Sequence, residues 1–138
     1  MEWLTAIRKS IDYIETHLKE DITVQDIANQ LFLSSLHFQR GFLIVTGYSV
    51  SEYIRNRRLY LSAIELKQTS KKIIDIAYDY GYETPESFSK AFTRFHGTTP
   101  IKIKQGGHIK TFLPLNIKIT VHGGNKMDYK ITKMFGFK

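Results

Sequence analysis

Two stretches of this 138-residue chain repeat each other at a separation of about 50 residues. Asp26-Ile27-Ala28 returns as Asp75-Ile76-Ala77, 49 residues later. Four more residues, Phe38, Arg40, Phe42 and Gly47, return 50 positions later as Phe88, Lys90, Phe92 and Gly97. A repeat of this period is typical of a duplicated structural unit. Each copy predicts a short helix, a turn and a second helix that carries a basic residue, so we expect two matched helix pairs.

The helix signals continue outside the repeat. A first amphipathic helix is predicted from apolar residues spaced three and four apart, Leu4, Ile7, Ile11, Ile14 and Leu18. Thr23 is the expected cap of the second helix, and the third begins at Ser34 or Ser35 and ends at Thr46. The capping box Ser49–Glu52 opens a long fourth helix that continues to about Lys67.

Three further helices are predicted in the second half. Their expected N-caps are Ser70, Thr84 and Thr99, and proline follows the last two of these residues. The fifth helix should run from about Lys71 to Tyr80, the sixth should stop at Gly97, and the seventh at about Gln105. The fold class is therefore all-α. Seven helices form two helix-turn-helix subdomains, at about residues 23–46 and 72–96 of a domain spanning residues 1–106, joined by the long fourth helix.

Residues 107–138 change to strand periodicity. Apolar residues alternate with polar ones from Leu113 to Val121 and again from Met127 to Ile131, with a predicted turn at residues 122–126. A lone two-stranded hairpin is at best marginally stable. This short C-terminal β extension must therefore pack on something, pair with another chain, or await residues beyond it.

Composition and charge restrict the classes of function that this chain can have. The net charge is +7, but residues 1–105 contribute +2 and residues 106–138 contribute +5, so the pI of 9.6 alone says little about the repeat. Cysteine is absent, which excludes disulfides, cysteine-containing zinc sites and thiol nucleophiles. No apolar run approaches the roughly 18 residues of a membrane span, and the N-terminus lacks a secretory signal. We expect a cytoplasmic protein with no membrane partner.

The helix pairs have the requirements of a helix-turn-helix, which places its second helix in the major groove of DNA. Ala28 and Ala77 are the small residues that let the two helices pack closely. The turn four residues later favours positive φ, which suits Gly81. Its counterpart, Phe32, must avoid that conformation or carry strain.

With the phenylalanines facing inward, other residues of the second helices face outward. These are Ser35, Leu36, Gln39 and Arg40 in the first unit and Glu86, Ser89 and Lys90 in the second. Gln39 can bind adenine through two hydrogen bonds, Arg40 or Lys90 can reach guanine or a phosphate, and Glu86 can accept from cytosine. The expected phosphate contacts are Arg55, Arg57, Arg58, Lys71, Lys72, Arg94 and Lys102.

The stretch from Ile7 to Lys104 resembles the DNA-binding domain of the AraC/XylS transcription regulators, most of all the branch that contains MarA, SoxS and Rob. The matching pieces include Ser34–Phe42, Thr46–Ser49, Ile73–Ala77, Ser87–Phe92 and Gly97–Pro100. The resemblance implies that helices three and six recognise double-stranded DNA and adds Pro85 to the base-facing positions. It also implies an activator that binds promoters near RNA polymerase.

Some residues depart from that family's pattern. Pro85 and Glu86 replace glutamines of the branch, so we expect the second unit to read sequence less than the first. Leu36 replaces a tryptophan and could contact a thymine methyl group. Leu43-Ile44-Val45 stands where charged residues are common, so part of this apolar surface should be exposed. An alternative function follows from it, a helical module that binds protein through Leu43-Ile44-Val45.

Residues from Leu113 to Phe137 resemble the start of the GyrI-like effector-binding domain of Rob-like regulators, which implies a small-molecule effector if a longer C-terminal domain exists. The alternative is a basic, partly disordered tail that adds nonspecific DNA affinity. No enzyme is expected. The five histidines form no close metal-ligand pair, and the motifs of zinc proteases, phosphate-binding loops and serine hydrolases are missing. We expect no catalytic residue, metal or cofactor.

Overall fold

The computed structural model of the protein describes residues 2–122 and 126–133. Seven helices are followed by two strands in this part of the chain, which confirms the all-α fold with a short C-terminal β extension. The helices are α1 (Trp3–Thr16), α2 (Val24–Gln30), α3 (Ser35–Thr46), α4 (Val50–Gln68), α5 (Ile73–Asp79), α6 (Pro85–His96) and α7 (Pro100–Lys104). The strands are β1 (Leu115–His122) and β2 (Lys126–Lys133).

The chain divides into two compact units, with a boundary inside α4 between Tyr53 and Ile54. The first unit contains α1, α2, α3, the start of α4 and the β-hairpin. The second contains Leu18–Asp21 and Ile54–Phe112, and therefore α5, α6 and α7. The hairpin thus groups with the first unit. The assignment of residues 107–138 as a separate extension stays a prediction.

The first unit has a core where α1, α2 and α3 pack on one another. The predicted stripe of α1 is buried at Ile7, Ile11 and Ile14. Thr23 caps α2 as predicted, because its hydroxyl accepts from the Asp26 N–H at 3.1 Å while the Asp26 carboxylate accepts from the Thr23 N–H at 2.9 Å.

The hairpin is antiparallel, and Leu115 pairs with Lys133 at its open end. Its first strand contacts α1, with Leu115 and Ile117 buried. The Leu115 N–H donates to the Tyr53 hydroxyl at 3.3 Å. This packing supplies the contacts that an isolated hairpin, which is at best marginally stable, would lack. The predicted turn includes residues 123–125, which lie outside the described residues.

The second unit corrects one predicted cap. Ser70 does not begin α5, which starts at Ile73 with Lys72 in the N-cap position and without a side-chain cap hydrogen bond. The repeat explains this, because Lys72 lies 49 residues after Thr23 and therefore holds the capping place of the second copy. A lysine side chain is a donor and cannot accept from helix N–H groups.

An ion-pair network ties α4 to the rest of this unit. The Glu65 carboxylate accepts from the Tyr80 hydroxyl and pairs with Lys19 at 2.9 Å and Lys71 at 3.5 Å. Burial raises the pKa of Tyr80, and its hydrogen bond to Glu65 adds to the effect. The network therefore holds Tyr80, the last residue before the turn at Gly81, in a fixed place.

Candidate nucleic-acid interface

The first candidate recognition helix, α3, begins at a serine cap. The Ser34 hydroxyl accepts from the His37 N–H at 3.1 Å. Phe38 and Phe42 are fully buried on its inner face, while Gln39 and Arg40 are exposed. Alternating inward and outward positions follow from the 3.6-residue turn. The helix therefore presents a polar stripe to solvent.

Two other expected base-facing residues of α3 differ in exposure. Leu36 is 60% exposed. Ser35 is half-buried, and its hydroxyl accepts from the Gln39 amide at 3.2 Å. The Gln39 side chain is thus held across the first turn of α3 and keeps its carbonyl oxygen and one amide hydrogen for another partner.

The second candidate recognition helix, α6, repeats this construction. The Thr84 hydroxyl accepts from the Ser87 N–H at 3.0 Å. Phe88 and Phe92 are fully buried. The outward positions follow the same pattern, with Glu86 and Lys90 exposed and Pro85 and Ser89 half-buried.

The turns that precede these helices have the same backbone geometry. Phe32 has φ 57° and Gly81 has φ 85°, both in the left-handed region. The Leu33 N–H donates to the Ala28 carbonyl at 3.1 Å, and the Tyr82 N–H donates to the Ala77 carbonyl at 3.0 Å. Ala28 and Ala77 are completely buried. Of the two alternatives expected for Phe32, avoiding the left-handed conformation or adopting it with strain, the structure shows the second.

Trp3 is a neighbour of α3 that was not among the residues predicted for the site. A Cβ added at Gly41 would lie 2.3 Å from the Trp3 ring, so any larger residue in the middle of α3 would have to displace that ring. The Trp3 ring also contacts the exposed His37 edge-on, with ring centroids 5.3 Å apart. A glycine inside a helix costs stability and usually has a packing reason. Gly41 was therefore the sequence signal that indicated close packing in the middle of α3.

A groove of about 500 Å³ lies beside this contact. It is lined by Trp3, Leu4, His37, Arg40, Gly41, Ile44 and Val45. At the same end of α3, Leu43 is 52% and Ile44 is 81% exposed. This confirms the expectation that part of Leu43-Ile44-Val45 is exposed.

Five of the seven expected phosphate contacts are exposed: Arg55, Lys71, Lys72, Arg94 and Lys102. Lys71 is already engaged, because its ammonium lies 3.4 Å from Asp79 and 3.5 Å from Glu65. These carboxylates raise the pKa of Lys71, the hydrogen bond to Asp79 being the largest cause. Lys71 would have to leave them to meet a phosphate.

The other two predicted phosphate contacts, Arg57 and Arg58, already donate to backbone carbonyls, which argues against a phosphate role for them. Arg57 is only 4% exposed, and its guanidinium donates to the Phe112 carbonyl at 2.6 Å. Arg58 is half-buried and donates to the carbonyls of Leu18 and Glu20, each at 2.8 Å. Burial lowers the pKa of Arg58. Both arginines therefore tie α4 to backbone carbonyls of the second unit.

Within the described ranges, no three histidine, aspartate or glutamate side chains are grouped so that they could hold a metal ion. None of the helices placed there is long and apolar enough to cross a membrane.

Comparison with known proteins agrees with this geometry. A family model described as a helix-turn-helix domain matches residues 27–106. The regulatory protein SoxS of Salmonella typhimurium is 38% identical over 94 residues, which cover 68% of this chain and 88% of SoxS. The HTH-type transcriptional regulator YbfP of Bacillus subtilis is 39% identical over 113 residues, which cover 82% of this chain.

The match spans 36% of the length of YbfP, so that relative is much longer than the matching region. Among solved structures, the C-terminal domain of AraT from Geobacillus stearothermophilus superposes with a TM-score of 0.70 at 27% identity. The superposition covers 78% of this chain and 90% of that domain. The chain belongs to the AraC/XylS family of helix-turn-helix transcriptional regulators, in the branch of MarA, SoxS and Rob.

Proposed function

We propose that this regulator inserts α3 and α6 into adjacent major grooves of one asymmetric DNA site and acts there as an activator beside RNA polymerase. The observation that carries the proposal is the matched pair of helices, each with two buried phenylalanines and an exposed polar face. The DNA-binding region is proposed to be residues 1–106. Residues 107–138 are proposed as the start of an effector-binding domain, and the compartment as the cytoplasm.

The two helices should not contribute equally to specificity. Gln39 can make two hydrogen bonds to adenine and Arg40 two to guanine, each worth roughly 1–3 kcal/mol of discrimination. In α6, the exposed Glu86 is repelled by phosphates unless it meets a cytosine amine. We therefore assign most base reading to α3, with Lys90 and Ser89 of α6 in a lesser role.

The site should be bent and non-palindromic. The 19 residues of α4 correspond to about 28 Å, whereas successive major grooves on one face of DNA lie about 34 Å apart. Bending costs on the order of 1–6 kcal/mol, which the contacts of a second helix offset. A single chain would then cover a site of roughly 20 base pairs.

Selection of bound sequences from a random duplex library tests the proposal, followed by fluorescence anisotropy on the selected site. Arg40→Ala should reduce the preference for the selected site, whereas Lys72→Ala should weaken all duplexes alike. With Arg55, Lys72, Arg94 and Lys102 on phosphates together with the recognition helices, affinity should fall roughly 10³-fold between 50 and 200 mM salt. A flat salt response or two symmetric half-sites would contradict the proposal.

A second candidate function is favoured by the exposed apolar end of α3. Ile44 is 81% exposed and lines the groove beside Trp3, which is a place for a protein partner. The fluorescence anisotropy titration with duplex DNA distinguishes between the two functions. A failure to bind random duplex DNA at low salt and micromolar protein would favour the protein-binding module.

A further inference from the structure

The turn before α3 contains a residue whose conformation is unfavourable for its type. Among the residues that the structure describes, Phe32 is the one non-glycine residue with positive φ. In this region the Cβ atom of an L-residue crowds the following carbonyl oxygen. The Phe32 side chain is also 92% exposed, so its ring gains almost nothing from packing within the chain.

The second copy of the repeat shows how the same turn is made without strain. Gly81 takes φ 85° there, and the Tyr82 N–H donates to the Ala77 carbonyl as the Leu33 N–H donates to that of Ala28. The turn requires the backbone conformation, but it does not require a side chain. A strained residue that stabilises nothing in its own unit points to a role outside it.

The place of Phe32 suggests what that role is. It lies two residues before Ser34, the N-cap of α3, and four before Leu36, which is 60% exposed. With about 3.8 Å between successive Cα atoms, Phe32 and Leu36 lie within about 15 Å of each other. Gln39 and Arg40 continue the exposed surface along the helix. The two apolar side chains therefore stand at the N-terminal end of the candidate recognition helix, the end that contacts base edges in helix-turn-helix proteins.

We propose that Phe32 and Leu36 together bind thymine methyl groups in the major groove, so that the first half of the site is selected for thymine. The C5-methyl of thymine is the apolar group that major-groove readers contact with phenylalanine and other apolar side chains. This inference rests on the proposed DNA-binding function. It adds a residue of the turn to the specificity determinants of α3.

The test compares thymine with deoxyuridine, which pairs identically but lacks the methyl group. The probe is the duplex selected from the random library, with the thymines of its first half replaced by deoxyuridine. Wild-type protein should lose roughly fourfold in affinity for each methyl group that it buries. Phe32→Gly and Leu36→Ala should each lose part of this difference, and Phe32→Tyr should keep it because the ring remains.

The variants are chosen so that folding does not decide the outcome. Phe32→Gly relieves the strained backbone, so its melting temperature should be equal to or above that of the wild type. Ile101→Ala is the matched control, because it also removes an exposed apolar side chain, but from α7 in the second unit. Its ratio of thymine to deoxyuridine affinity should equal the wild-type ratio.

Two results would overturn the inference while DNA binding stands: a wild type that does not distinguish the two duplexes, or a Phe32→Gly variant that keeps the full wild-type ratio. A wild-type protein that binds no duplex at all would instead contradict the proposed function itself.

Discussion

The two helix-turn-helix units have the same core but differ where their helices begin, turn and end. Ala28, Phe38 and Phe42 have buried counterparts in Ala77, Phe88 and Phe92. The first helix of the pair is capped by Thr23 in one unit and preceded by Lys72 in the other. The duplicated part is thus the packing of the two helices on each other, whereas the exposed ends differ between the units.

The turns differ most clearly. The left-handed residue is Phe32 in the first unit and Gly81 in the second. Because both turns make the equivalent hydrogen bond, the backbone geometry is a property of the motif and not of glycine. The first unit tolerates a strained turn, and the difference can be measured as stability.

The largest expected effect is therefore at the turns. Gly81→Ala should destabilise the protein by roughly 1–2 kcal/mol, since alanine is strained at positive φ. Crowding does not contribute, because an added Cβ would meet nothing closer than the Arg58 guanidinium at 3.9 Å. Phe32→Gly should stabilise it by about 1 kcal/mol. Urea unfolding measures both changes.

Phe32→Ala is the control for the turn. It removes the ring but keeps the Cβ atom, so the backbone strain remains and stability should stay near that of the wild type. If Phe32→Ala stabilised the protein as much as Phe32→Gly, the strain would lie in the exposed ring and not in the backbone.

Sequence patterns predicted the helices well because their signals are local. The boundaries of α3 follow from a serine cap and a C-terminal glycine, and both act within one turn of the helix. The cap at Ser70 was wrong for a related reason. A serine caps a helix only when it lies directly before the first helical residue. The helix α5 starts at Ile73, which corresponds to the start of α2 at Val24 in the first copy of the repeat, so Ser70 lies too far before it.

The candidate site was less predictable because it depends on tertiary contacts. Arg57 and Arg58 are basic residues of a helix, which suggested phosphates, but backbone carbonyls distant in sequence accept their hydrogen bonds. The spacing of Arg57 did indicate burial, because it lies four residues after Tyr53 and three before Tyr60 and so shares their buried face of the helix. The contact of Trp3 with Gly41 joins residues 38 positions apart, so the glycine inside α3 indicated close packing but not the residue that packs there.

The helix caps provide the next comparison. Thr23→Ala should cost about 1 kcal/mol, because it removes the acceptor for the Asp26 N–H. Lys72→Thr should gain up to about 1 kcal/mol, because α5 has no side-chain cap. The same substitution should lower DNA affinity if Lys72 contacts a phosphate. Thermal unfolding and anisotropy measure the two effects.

Lys72→Ala is the matched control for the cap. It removes the charge without adding an acceptor, so it should lose affinity for DNA but gain no stability. Equal stabilisation by alanine and threonine would show that relief of charge repulsion, and not capping, is the cause.

The smallest effect concerns the ends of the recognition helices, where Thr46 of α3 corresponds to His96 of α6. The Thr46 hydroxyl donates to the Phe42 carbonyl and does not titrate near neutral pH. His96 lies 2.9 Å from the Leu59 carbonyl through Nε2 and 3.1 Å from the Lys110 N–H through Nδ1. Only the neutral ring with hydrogen on Nε2 satisfies both partners, because a protonated ring would point an N–H at another N–H.

Burial lowers the pKa of His96, and the charge of Lys110 lowers it further against the opposing hydrogen bond to Leu59. A histidine with a lowered pKa in the folded state binds its proton more readily when unfolded. Its contribution to stability is therefore fully present above the usual pKa of about 6.5 and is lost as pH falls through the folded value. Wild-type stability should decline across this window.

His96→Gln isolates the effect, because glutamine offers one donor and one acceptor but does not titrate. The difference in unfolding free energy between wild type and His96→Gln should shrink as pH falls from 7.5 to 5. Acidic groups such as Glu65 titrate below this window and are present in both proteins, so their effects cancel. A difference that stayed constant with pH would mean that the ring does not keep these two partners in solution, and that the two helix ends are alike in their response to acid.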